Sequence, residues 1–134
     1  MKNLYQNKYQ QINFDAETGI IHNTWTSDSV FMTTDDYKNN LGKLVNLIKE
    51  HQATKQLINT LDFGFTIDIE LQKWTEEEVN QKNRSSGVQK AAFVIAEEIF
   101  SQMSIEQAME PSEGLEMDIR YFTSEEEARF WLVE

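Results

Sequence analysis

Six consecutive apolar residues, Ala91-Ala92-Phe93-Val94-Ile95-Ala96, constrain the fold of this chain more than any other stretch. A strand with one wet face alternates apolar and polar side chains, whereas an unbroken apolar run is the pattern of a strand buried on both faces. Such strands belong to sheets with helices packed on them, joined by right-handed crossovers. The other residues must therefore supply flanking helices and neighbouring strands. At 134 residues, 40% of them hydrophobic and 11% aromatic, the chain can build such a core within one domain spanning residues 1–134.

Residues 9–14 and 20–25 are short strand-like runs on either side of Asp15-Ala16-Glu17-Thr18-Gly19, which predicts a β-hairpin. Thr33-Thr34-Asp35-Asp36 offers N-cap oxygens and acids suited to the positive end of a helix. Behind it Tyr37, Leu41, Leu44, Val45 and Ile48 recur at spacings of three and four, along one helical face. Gly42 interrupts this helix at a cost of about 1 kcal/mol relative to Ala, which suggests a close approach there. Residues 56–62 read as a strand, and Thr66-Ile67-Asp68 as the start of a second helix carrying Ile67, Leu71, Trp74 and Val79 inward. Residues 83–87 read as a loop. After the apolar strand, Ile99, Phe100, Met103, Ala108 and Met109 suggest a helix that stops before Pro111. Residues 117–122 alternate as a strand. Thr123 or Ser124, with a Glu three residues on, then forms a capping box for a final helix presenting Ala128, Trp131 and Leu132. The order β-β-α-β-α-β-α-β-α predicts an α/β sandwich: a mixed, mostly parallel sheet with an N-terminal hairpin and about four packed helices.

Charge narrows the partners. Twelve Lys and Arg against 23 Asp and Glu leave a net charge of -11, which repels nucleic acid and anionic lipid surfaces. Sixteen of those acids lie in residues 68–134. With no Cys there is no disulfide, no thiolate zinc site and no cysteine nucleophile. Glu76-Glu77-Glu78, Glu97-Glu98 and Glu125-Glu126-Glu127 place consecutive side chains in different directions on a helix, so they read as solvated helix starts. No metal or cofactor is expected. Met1 to Asn7 have no apolar stretch behind Lys2, and no window approaches the roughly 18 apolar residues of a membrane span. A soluble, cytoplasmic protein is expected.

The closing run Tyr121-Phe122-Thr123-Ser124-Glu125-Glu126-Glu127-Ala128-Arg129-Phe130-Trp131-Leu132, taken with the element order, resembles the SpoIIAA-like branch of the STAS superfamily. That branch is related in fold to the lipid-binding Sec14 domains. The resemblance spans roughly residues 8–134 and is most detailed in the last dozen. It implies a single STAS-like domain acting as a non-enzymatic regulatory or protein-interaction module. In anti-sigma-factor antagonists of this superfamily, a partner kinase phosphorylates a Ser or Thr in an Asp-Ser-Ser-Gly-like motif at the start of the second helix. The corresponding stretch here, Asn59-Thr60-Leu61-Asp62-Phe63-Gly64-Phe65-Thr66-Ile67-Asp68, lacks that motif. Thr66 is the one hydroxyl that the resemblance carries over as a candidate for phosphorylation.

Two segments stand out as candidate sites. Asp62-Phe63-Gly64-Phe65-Thr66 follows a strand and precedes a helix, where α/β sheets bind ligands. Gly64 lets the backbone approach a ligand, and Phe63 and Phe65 suit an apolar cleft for a small apolar molecule. The simpler reading is a connection whose Phe side chains plug the core and whose Thr66 caps a helix. Val30-Phe31-Met32 is an apolar triplet in a connection, hence a candidate contact patch for a protein partner or a homodimer. Burial beneath the first helix is its simpler reading. Arg84 suggests an anion site, but a solvated loop is the plainer account. His22 reads as a partly exposed cross-strand residue and His51 as a cation at a helix C-terminus; neither has an evident acid partner. No catalytic residue is assigned. Three functions follow in order: an interaction module, a small-molecule or lipid carrier, and an enzyme drawing an acid/base pair from Asp62, Thr66 and the histidines.

Overall fold

The computed structural model describes residues 1–102 and 117–134. Strands β1 (Lys2–Gln6), β2 (Gln10–Asp15) and β3 (Ile20–Trp25) form an antiparallel meander. Strands β4 (Lys55–Asn59), β5 (Lys90–Val94) and β6 (Asp118–Phe122) extend it in parallel, in the plain order β1-β2-β3-β4-β5-β6. The expected hairpin and parallel strands are present. Strand β1 is an addition to the expected order. Its register against β2 slips between Asn3 and Tyr5, and such a bulge breaks the period-two alternation by which a strand is recognised.

Helix α1 (Thr34–His51) starts with a capping box: Thr33 Oγ1 accepts the Asp36 N–H at 3.1 Å, and Asp36 Oδ2 accepts the Thr33 N–H at 3.0 Å. Gly42, within it, has nothing within 4 Å of where a Cβ would stand, so no close approach explains it. Helix α2 (Ile69–Thr75) begins later than expected. Asp68, not Thr66, is its N-cap, accepting the Leu71 N–H at 2.8 Å. A π turn (Glu76–Asn80) then leads into α3 (Gln81–Ser85), so residues 83–85 are helical where a loop was expected, and Asn83 is buried. The turn shrinks to Ser86 and Gly87, the latter at φ +111°. Helix α4 (Glu97–Gln102) matches the start of the expected helix over 99–109; Met103, Ala108, Met109 and Pro111 lie outside the described residues. Helix α5 (Glu125–Leu132) is capped by Ser124, whose Oγ accepts the Glu127 N–H at 3.3 Å.

When strands follow one another in chain order, right-handed crossovers place the connecting helices on one face. Accordingly Leu44 and Ile48 of α1, Leu71 of α2 and Val79 of the π turn share one core with Ile21, Ile58 and Ala91 of the sheet. On the opposite face Ile20, Leu57 and Ala92 pack beneath Ala128, Trp131 and Leu132 of α5. Adjacent residues of a strand point to opposite faces, which explains why Ile20-Ile21, Leu57-Ile58 and Ala91-Ala92 are doubly apolar. An eight-residue helix is about 12 Å long and cannot cover six strands. Beyond its reach the face turns polar, as where Asn3 Nδ2 donates to Asn13 Oδ1 at 3.0 Å.

Candidate functional site

The helices α1, α2, α4 and α5 all start beyond the C-terminal ends of β3, β4, β5 and β6, and each carries acids in its first turn. At this edge the structure joins the two segments that the sequence treats separately. Residues 62–66 lie against a 3-10 turn at Ser27–Phe31: the Gly64 N–H donates to Ser29 Oγ at 2.9 Å. A Cβ on Gly64 would stand 3.0 Å from Val30 Cβ, so only glycine fits without displacing the turn. In a 3-10 helix residues i and i+3 stack on one side, and here Ser29 and Met32 both face inward. Met32 is therefore 6% exposed and belongs to the core, which removes it from the expected surface patch. Val30 at 53% and Phe31 at 76% exposure face outward, against the simpler expectation of burial beneath α1.

Asp62, Gly64 and Thr66 are exposed, while Phe63 and Phe65 are half-buried. Phe63 meets Trp25 edge-on at 5.1 Å, and Phe65 stacks on Tyr37 at 5.2 Å. Thr66 stands outside the helix and does not cap it. Beneath this loop lies a cavity of about 130 Å³ between the sheet and the α1–α2 layer. Trp25, Tyr37, Leu44, Ile58, Phe63 and Phe93 give it apolar walls, and among the described residues no charged side chain lines it. Thr75 Oγ1 gives its proton to the Leu71 carbonyl at 2.8 Å, so Tyr37 must donate in the 2.7 Å bond between their hydroxyls. Burial pushes the Tyr37 phenol above its ordinary value, despite the Thr75 hydrogen bond.

A second polar constellation sits on the other face, beneath the start of α5. His22 is buried, not partly exposed, and its acid partner stands 103 residues away. His22 Nε2 lies 2.9 Å from Glu125 Oε2, and Asn59 Nδ2 donates to the same oxygen at 2.7 Å. Arg129 Nη2 is 3.3 Å from His22 Nδ1; guanidinium can only donate, so Nδ1 accepts and the proton of the neutral ring sits on Nε2. Burial pushes His22 below its ordinary value, against the pull of the Glu125 carboxylate. Burial would raise the Glu125 carboxyl, but the Asn59 hydrogen bond, His22 and Arg129 hold it below its ordinary value. The contact is thus a hydrogen bond from neutral imidazole to carboxylate. It clamps α5 onto β3 and β4, and Glu125 is no mere solvated helix start. Glu76, Glu77 and Glu78 depart from that expectation too, lying on the π turn inside a helix.

A family model described as SpoIIAA-like matches residues 20–133. The chain belongs to the SpoIIAA-like family. No curated protein and no solved structure matches it. Strands β1 and β2 precede the matched region of this SpoIIAA-like chain. Among its described residues no helix is long and apolar enough to cross a membrane, and no three His, Asp or Glu side chains gather as a metal-ligand set.

Within the SpoIIAA-like domain, the pairing of the 3-10 turn with the 62–66 loop, the cavity and the His22–Glu125 clamp escaped the sequence. The first joins positions 35 residues apart and the last positions 103 apart, and the cavity draws its walls from Asn23 to Ile119, distances over which no periodicity runs. His51, expected at a helix C-terminus, does end α1, with its ring 5.3 Å from that of Phe14.

Proposed function

We propose that this SpoIIAA-like domain is a non-catalytic regulatory module that binds another protein through Val30 and Phe31. One observation carries the reading: Phe31 stands 76% exposed on a turn braced from behind by the Ser29–Gly64 hydrogen bond. A turn whose backbone is already braced need not be ordered when a partner covers the side chains it carries, which favours association. The acids at the helix starts, Asp35 and Asp36 nearest in sequence, suit a partner with an apolar contact rimmed by Lys or Arg. Thr66, exposed on the loop behind the turn, is where a phosphoryl group would add charge beside that surface.

Native mass spectrometry of the protein, purified gently from its own host, tests this. A complex with a second protein chain is expected, lost in Phe31→Asp while the melting temperature holds. A bare monomer, or a complex indifferent to Phe31→Asp, would overturn the reading.

A further inference from the structure

We infer that the cavity between the sheet and the α1–α2 layer binds a small neutral ring bearing a carboxamide or lactam, which pairs with the side chain of Asn23. Asn23 sits in mid-sheet on β3, opposite Ile12 on one side and Ile58 on the other, and is 0% exposed. It lines the cavity, and neither its Nδ2 nor its Oδ1 has a hydrogen-bond partner among the described residues. A buried amide lacking both partners is costly, and Leu, of similar shape, would fill the position without that cost. Among the described residues Asn23 differs in this from the other buried amides: Gln10 lacks a partner only at Oε1, its Nε2 donating to the Asn40 carbonyl at 2.8 Å, and Asn83 only at Oδ1. A donor and an acceptor side by side match an acceptor and a donor side by side, which is the edge of a primary carboxamide or a lactam.

The walls set the rest of the ligand. A volume of about 130 Å³ is close to that of cavities that accept benzene, so the molecule has on the order of six to nine heavy atoms. Trp25, Tyr37, Phe63 and Phe93 offer ring faces and edges to a planar guest. With no charged side chain lining the cavity among the described residues, a carboxylate, phosphate or ammonium would enter without a counter-charge. The helical wall supplies an independent sign. The Gln81 N–H reaches back five residues to the Glu76 carbonyl, forming the π turn, and Thr75, Val79 and Asn80 from this region line the cavity. Such turns recur at functional sites, where they break regular helical packing. This inference stands apart from the protein-binding reading, since it concerns buried atoms and not the Phe31 surface.

The test is an NMR titration of the whole chain with benzamide, toluene and acetophenone. Benzamide should bind roughly tenfold more tightly than toluene, the worth of one to two net hydrogen bonds, and should shift the Asn23 side-chain NH₂ signals. Contacts from the ring to Leu44 and Ile58 methyl groups should place it in the cavity. Asn23→Leu should weaken benzamide about tenfold and leave toluene equal or stronger. Should that variant fail to fold, the wild-type ratio of benzamide to acetophenone decides, because acetophenone keeps the shape and the carbonyl but lacks the N–H. About tenfold in favour of benzamide is expected. Equal affinities, no benzamide binding up to its solubility limit, or shifts confined to residues outside the cavity would overturn the inference.

Discussion

Ser29 Oγ accepts the backbone N–H of Gly64 at 2.9 Å, tying a 3-10 turn to a loop 35 residues further along the chain. Ser29 is fully buried, so Ser29→Ala leaves the Gly64 N–H without its acceptor. The loss should be about 1–2 kcal/mol of stability, read by urea denaturation. Gly64→Ala attacks the same joint sterically by pressing on Val30. Both variants should weaken the proposed protein complex while Val30 and Phe31 keep their side chains. Undiminished binding in both would show that the brace is irrelevant to that surface.

Acid should loosen the clamp beneath α5. His22 titrates below its ordinary 6.5 in the folded state, so the unfolded chain takes up its proton first. The stabilisation is therefore complete above pH 6.5 and is lost as pH falls from there through the folded value. Glu125, held below its ordinary 4.5, adds a further loss as pH drops past that point. Denaturation across this range should show stability declining below pH 6.5, and His22→Gln should flatten the upper part of the decline. A stability difference between wild type and His22→Gln that stays constant, or grows, as pH falls below 6.5 would contradict the assignment of a neutral imidazole.

Two glycines should respond oppositely to alanine. At Gly42 a methyl group meets open space inside a helix, so Gly42→Ala should raise stability by up to about 1 kcal/mol. At Gly19, φ is +76° and a Cβ would stand 2.6 Å from Thr54 Oγ1. Gly19→Ala should lower the melting temperature, and a shift of the same sign at both positions would refute the distinction.

The start of α2 offers a comparison between neighbours. Asp68→Ala removes the oxygen that accepts the Leu71 N–H and should cost about 1 kcal/mol. Thr66→Ala, outside the helix, should change stability by less than about 0.5 kcal/mol. Equal costs in thermal unfolding would restore Thr66 as a cap.

The parallel part of the fold was legible because its signals are local. Ala91 to Ala96 announce a doubly covered strand, and the Thr33 and Ser124 caps sit three residues from the N–H groups that they satisfy. Strand β1 was hidden by its register slip. The second helix was misread at both ends: Thr66 and Asp68 are both capping residue types two positions apart, and it is Asp68, the stronger cap by type, that accepts the Leu71 N–H. Asn83, polar and turn-like in sequence, was drawn into the helix and buried. The site was half legible: Phe63, Phe31 and Val30 lie where the apolar pattern drew notice, whereas Asn23 reads as an ordinary polar strand residue until its burial is seen.

The slip in β1 has a consequence for how copies of this chain behave at high concentration. As one of the two edge strands of the described sheet, β1 presents one row of backbone groups to any other extended segment. A flat, regular margin would template intermolecular pairing and, in time, fibrils. The irregularity between Asn3 and Tyr5, with Lys2 beside it, breaks that template and so protects against aggregation.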